Sequence, residues 1–281
     1  MFEPFRYQFF VNAAVVATIA GALCGLVGVY VVLRGMSYIG HGLSHAVFGW
    51  AVAGFVVQIN FYLAAGVGGV VSALMISAIA RRRIIGADAA IGVVTTGIFA
   101  LGLALISRSR SFTRNFEAAL FGNVLGVTAG DVAVVGAVAV GVSLVVFVSY
   151  RQLLYSTFDP EVAEISGIPA RRTDLLLSIV LAATIVATMR VLGVTLIAAA
   201  LVIPAVIARL LTDRFARMLW LSTGIGATCG FVGVLLSFYL NIASGAAVVL
   251  VGSAIFAVVF FLSRESAGQR GARGGSSGSA V

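Results

Sequence analysis

His41 and His45, the only two histidines among 281 residues, stand four apart in Ser37-Tyr38-Ile39-Gly40-His41-Gly42-Leu43-Ser44-His45-Ala46. On an α-helix that spacing brings both imidazoles to one face, where two neutral ring nitrogens are able to hold one divalent cation. Imidazole suits zinc and its borderline neighbours, whereas manganese is better served by carboxylate oxygens. An interfacial pair bonded only to water or backbone satisfies the same pattern, so the chemistry depends on what surrounds the pair.

Almost everything available to position it is apolar. Hydrophobic residues make up 61% of the chain and charged residues 10%, with a mean hydropathy of +1.13. Too little polar material remains to cover a water-facing surface, and the chain reads as an all-α, polytopic integral membrane helix bundle. Windows of about 20 residues give nine spans, near 10–33, 41–58, 61–80, 89–107, 129–149, 175–192, 194–211, 218–238 and 246–262. Joining two of them across Gln58-Ile59-Asn60 gives eight. The first apolar run is too long for a signal-peptide core and is read as the first span.

Lysine is absent, and all eighteen positive charges are arginine, for a net charge of +8. In a soluble domain that excess would suggest nucleic acid; in a membrane bundle it sets topology, and no nucleic-acid partner is expected. Placing the N-terminus outside puts thirteen arginines inside against five outside, and the C-terminus in the cytoplasm. Arg108, Arg110 and Arg114 are the main exceptions. They fall in a stretch from 107 to 128 that mixes charge with Phe112, Phe116, Leu120 and Phe121, as an interfacial segment does. After the membrane domain, 1–262, the composition turns to Gly, Ser, Arg and Ala, which reads as a disordered cytoplasmic tail over 263–281.

Within the spans, Gly21-Ala-Leu-Cys-Gly25 and Gly226-Ala-Thr-Cys-Gly230 set small residues four apart, a pattern that lets helix backbones approach closely. Pro204 cannot donate its backbone nitrogen and is expected to kink its span. Cys24 and Cys229 lie far apart in apolar runs and read as buried small side chains.

The longest loop on the inner side carries the second signal, Phe158-Asp159-Pro160-Glu161-Val162-Ala163-Glu164-Ile165-Ser166-Gly167-Ile168. Asp159 fits an N-cap, Pro160 the first helical position, Glu161 an acidic first turn and Gly167 a left-handed stop. That specifies a two-turn helix outside the bilayer whose apolar residues, Val162, Ile165 and Ile168, are too few to build a core. They are expected to dock on another surface.

At this point the residues resemble a known family. The matching segments are "VGVYVVLRGMSYIGHGLSHAVFG" at 27–49, "DAAIGVV" at 88–94, "LFGNVLGVTAGDV" at 120–132, "FDPEVAEISGI" at 158–168, "VLGVTLIAAALVIPAVIARLL" at 191–211 and "NIASGAAVVLV" at 241–251. In that order they resemble the permease subunits of bacterial ATP-binding-cassette importers for zinc, manganese and iron. The resemblance implies a type II importer-like permease in the cytoplasmic membrane, forming the cation path as a homodimer or with a similar permease. It implies an extracytoplasmic metal-binding protein, contact with membrane lipid, a metal ion as cargo and no resident cofactor.

The loop at 158–168 is similar to the family's coupling helix, so Asp159, Glu161, Glu164, Ile165 and Gly167 become the expected contacts with a separate ATPase subunit. The sequence contains no G-x-x-x-x-G-K-[ST] phosphate loop, so it is read as a transport subunit and not an enzyme. The family pattern in the cation path resembles Asp-x-x-x-Ser-His-Ala. This chain keeps Ser44, His45 and Ala46 but has His41 where Asp is common, which tilts the expected cargo toward zinc over manganese. Asp88 and Asp131 lie in matched segments and are second metal candidates. A proton- or sodium-coupled secondary carrier, with the histidines as a proton relay, remains the alternative.

A protonated imidazole cannot bind metal, and a free imidazole titrates near about pH 6.5. Uptake through the pair should therefore fall on acidification. Initial metal uptake rates at pH 7.5 and 5.5 test this; a rate that rises on acidification favours the proton-relay alternative.

Overall fold

The computed structural model describes residues 3–80, 86–108, 120, 122 and 126–274. Among them a short 3₁₀ turn at Glu3–Arg6 is followed by α1 (Gln8–Leu33), α2 (Ser37–Val56), α3 (Phe61–Ala80), α4 (Ala87–Arg108) and α5 (Ala129–Val148). Then come α6 (Tyr150–Phe158), α7 (Pro160–Ile165), α8 (Ala170–Leu192), α9 (Ile197–Leu211), α10 (Phe215–Leu240) and α11 (Ser244–Gly274). Each of the nine expected spans is a helix. Eight are long and apolar enough to cross a bilayer; α9, with 15 residues, reaches about 22 Å against a hydrocarbon core of about 30 Å. The non-helical residues ahead of α9 are tied down by the Thr195 hydroxyl, which donates to the Leu120 carbonyl at 2.9 Å.

The helices differ in how far the bundle encloses them. α1 carries no charged residue between Gln8 and Leu33, as suits a membrane span or an interior helix. It lies at the centre, against α5, α8, α9 and α10. Together with α2 and α8 it is the most enclosed of the long helices, while α4, α5 and α11 are the most exposed to lipid.

Close approach, not side-chain bulk, holds the centre. α1 and α10 cross antiparallel with Gly21 against Gly226, Gly25 against Ser222 and Ala17 against Gly230, so the two small-residue motifs of the sequence pack on each other. The Ser222 hydroxyl donates to the Gly25 carbonyl at 2.6 Å, a bond that only such proximity allows. Gly28 meets the Leu201 carbonyl of α9 in the same way. Cys24 and Cys229 are free and buried, as expected, and Pro204 is buried inside α9.

Two boundaries are set by local chemistry. Gln58-Ile59-Asn60 does not merge spans: Gln58 takes a left-handed φ of 61°, Ile59 N–H reaches back to Gly54 at 2.8 Å, and the Asn60 side chain caps α3 by accepting from Tyr62 N–H at 2.9 Å. α11 runs through Gly274. Extending an existing helix needs no new nucleus, and Arg264, Glu265, Ala267 and Gln269 are adequate helix formers. Residues 275–281, Arg81 to Arg83, and Arg110, Phe112, Arg114, Phe116 and Phe121 lie outside the described residues.

A Cβ at position 21 would fall on the Gly226 carbonyl, so Gly21→Val should cost at least about 3 kcal/mol, the upper end for overpacking. Thermal unfolding in detergent checks it against Gly92→Ala, a site with nothing within 4 Å, which should be tolerated.

Candidate cation site and coupling surface

α2 begins with Ser37 and places His41 in its second turn and His45 in its third. Glycines around the pair let neighbouring helices close in: Gly42 packs on Ile91 and Thr95 of α4, and Gly40 on Leu201 of α9. The Ser44 hydroxyl is buried and turned back onto the His41 carbonyl at 2.7 Å, which leaves the ring nitrogens free of it. The rings stand edge to face with centroids 4.7 Å apart. A metal–nitrogen distance of about 2.1 Å sets each centroid roughly 3.3 Å from a shared ion, and square or tetrahedral angles then separate centroids by about 4.6–5.3 Å. The observed separation falls in that range.

His41 is exposed and His45 half-buried. Phe99 of α4 meets the His45 ring edge-on at 4.9 Å and Phe48 at 5.8 Å, giving the inner imidazole an apolar wall. His45 Nδ1 is enclosed and finds no hydrogen-bond partner among the described residues. A buried imidazole nitrogen in that condition is costly. Among the described residues no cluster of three or more His, Cys, Asp and Glu side chains forms. The pair thus brings two imidazoles together with no third side chain of these types beside them among the described residues.

The two aspartates take different places. Asp88 is exposed in the first turn of α4, one turn before the Ile91 that packs on Gly42. Asp131 is buried and occupied. It accepts from the Tyr62 hydroxyl, the Arg190 guanidinium, and Thr128 N–H and Oγ at 3.0 and 2.8 Å, while Thr128 Oγ accepts from Asp131 N–H. That is a reciprocal capping box on α5 locked to α3 and α8 by a charge-assisted bond. Arg190 also lies over the Phe61 and Tyr62 rings at 5.3 and 5.2 Å. The structure does not bring Asp131 to the histidines; its partners Tyr62 and Arg190 carry no local sequence signal.

α7 is built as expected. The Asp159 carboxylate accepts from Val162 N–H at 3.0 Å, with Pro160 in the first turn. At its end Gly167, at φ 78°, lets Gly167 N–H reach Glu164 O at 3.0 Å and Ile168 N–H reach Ala163 O at 2.9 Å. Only Ala163 is buried against the bundle; Ile165 is 86% exposed and Phe158 61%, with Glu161 and Glu164 exposed beside them. A well-capped helix that shows water its largest apolar side chain has a surface left over for docking.

Arg34 ties this element to the bundle. Its side chain is 9% exposed, and it donates from Nη1 to Asp174 at 2.8 Å, from Nη2 to Ser156 at 2.6 Å and from Nε to Thr157 at 3.2 Å. Read from sequence as a topology charge, Arg34 is also a structural junction of α1, α6 and α8. Beside it Phe215 of α10 packs on Tyr30, Tyr150 and Phe158 with centroids 5.5 to 5.8 Å apart.

Residues 6–263 match the pattern of the ABC 3 transport family. The chain belongs to that family. It is 37% identical to the manganese transport system membrane protein MntC of Halalkalibacterium halodurans over 92% of this chain and 88% of that protein. It is 36% identical to the manganese import system permease protein ScaB of Streptococcus gordonii, over 91% and 92%, and 33% identical to a probable iron transport system membrane protein of Haemophilus influenzae, over 94% and 97%. Its fold matches PsaBC from Streptococcus pneumoniae in complex with Fab at a TM-score of 0.83 and 33% identity, covering 90% and 91% of the two chains. As an ABC 3 family member it is a multi-pass membrane permease subunit of an ABC transport system.

Because Asp131 is buried and multiply bonded, Asp131→Ala should lower stability by about 1–3 kcal/mol. Its effect should fall on unfolding temperature and leave metal affinity unchanged; a selective loss of metal affinity would make Asp131 a ligand.

Proposed function

We propose that this chain is the permease of an ATP-driven importer of divalent transition metal, with manganese its principal cargo. Two copies, or this chain and a similar permease, form the path, which passes His41 and His45. A solute-binding protein delivers the ion outside, and a separate ATPase docks on α7 through Ile165, Phe158, Glu161 and Glu164. The N-terminus is outside and the C-terminus cytoplasmic, which places α7 and the Arg34 end of α2 on the ATPase side.

The observation that carries this reading is the exposed Ile165 on a helix whose capping is complete. A proton- or sodium-driven carrier has no use for such a surface. For the cargo, relatives named for manganese at 35 to 37% identity outweigh the zinc preference of two imidazoles. A transit site needs weak ligation, and two imidazoles with water hold manganese less firmly than zinc. Asp88 is retained as an accessory ligand near the pair; Asp131 is assigned to stability.

In vesicles containing the assembled complex, His41→Ala and His45→Ala should each cut manganese uptake by about tenfold or more, the loss of roughly 1.4 kcal/mol from a shared site. Ile165→Asp should abolish capture of the ATPase subunit while the bundle stays folded. Normal uptake by both histidine variants removes the site, and ATP-independent uptake by the chain alone restores the secondary-carrier reading.

A further inference from the structure

The three donors of Arg34 reach three separate places: Asp174 near the start of α8, and Ser156 and Thr157 in the last turn of α6. α6 leads directly into α7 through Asp159. On its other side Arg34 is bound without slack to α2. It ends α1, with its N–H on Tyr30 O at 3.1 Å; Gly35, at φ 66°, turns the chain with its N–H on Val32 O at 3.1 Å; and Met36 N–H reaches Val31 O at 2.9 Å. This double-bonded helix stop is a rigid turn. Met36 O then accepts from Ile39 N–H at 2.9 Å, in the first turn of α2, and His41 follows two residues later.

We infer that Arg34 is the positioning residue through which a displacement of the α6–α7 segment is passed to the first turns of α2, and so to the histidine pair. The inference rests on the proposed ATPase docking at α7 and goes beyond it by naming the connection. Three physical features fit Arg34 for the task. A guanidinium presents a planar fork whose donors are fixed relative to each other, so three acceptors held by one group move as one body. The side chain is almost enclosed, so water does not substitute for a lost acceptor. The two-residue turn to α2 leaves no flexible linker in which movement is lost. A lysine in the same place offers a charge but no fork.

The test compares uptake with hydrolysis in vesicles holding this chain, its ATPase and its binding protein. Arg34→Gln should leave the complex assembled and ATP hydrolysis running, while manganese taken up per ATP falls by about tenfold, within the range that couplings between sites span. Arg34→Lys should fall between the two, and Arg34→Asp combined with Asp174→Arg should recover part of the ratio. A merely structural role lowers uptake and hydrolysis together and leaves their ratio unchanged, which overturns the inference. Should Arg34→Gln fail to fold, Ser156→Ala with Thr157→Val keeps the ion pair and removes the α6 link; it too must lower the ratio, and an unchanged ratio overturns the inference. No ATP-dependent uptake by the unaltered complex overturns the proposed function and this inference with it, whereas an active complex with an unchanged ratio in the variants overturns the inference alone.

Discussion

The guanidinium of Arg34 is held almost out of reach of solvent, and a charge so placed is tolerable only while its donors are occupied. Asp174, Ser156 and Thr157 occupy them, and that requirement fixes three chain segments in one place. The end of α1 must meet the end of α6 and the beginning of α8. Once they meet, α7 is held at the edge of the bundle with Ala163 inward and Ile165 outward, and α2 must start beside it. One guanidinium thus ties the start of α2 to the segment that leads into α7.

The second constraint is the membrane interior. A lipid solvent gives apolar side chains no reason to prefer each other, so the bundle is held by close contact and by polar groups with nowhere else to bond. The first appears where α1 crosses α10 through Gly21, Gly25, Gly226 and Gly230. The second appears at Ser222 on Gly25 O and at Arg190, Asp131 and Tyr62. These clamp the bundle in two places: Arg34 joins the elements next to α7, and Arg190 joins α3, α5 and α8. Between the clamps the histidine pair lies toward the Arg34 end of α2.

What was legible in the sequence was local. Hydropathy marked every membrane helix, because one long apolar run specifies one long helix. The α7 caps were legible because Asp159, Pro160 and Gly167 act on backbone a few residues away. The facing of Gly21 and Gly226 was not legible, although both motifs were, since nothing local says which small-residue stripes meet. Asp131 shows the limit most clearly. Its place at the start of a span made it a candidate ligand, and its real partners, Arg190 and Tyr62, stand 59 and 69 residues away in sequence. Arg34 was likewise countable as a charge but not as a junction, because its acceptors lie more than 120 residues on.

The central claim is that α7 and the first turns of α2 move as one body while α2 moves relative to the rest of the bundle. Pulsed electron resonance on spin labels at Glu161→Cys and Tyr38→Cys tests it directly, since both sites are exposed and the native Cys24 and Cys229 are buried. In the assembled complex the distance between these labels should stay the same with and without ATP, while the distance from position 161 to a label at Tyr239→Cys, exposed near the end of α10 in the rest of the bundle, changes. A Tyr38–Glu161 distance that shifts as much as the longer one would contradict the account.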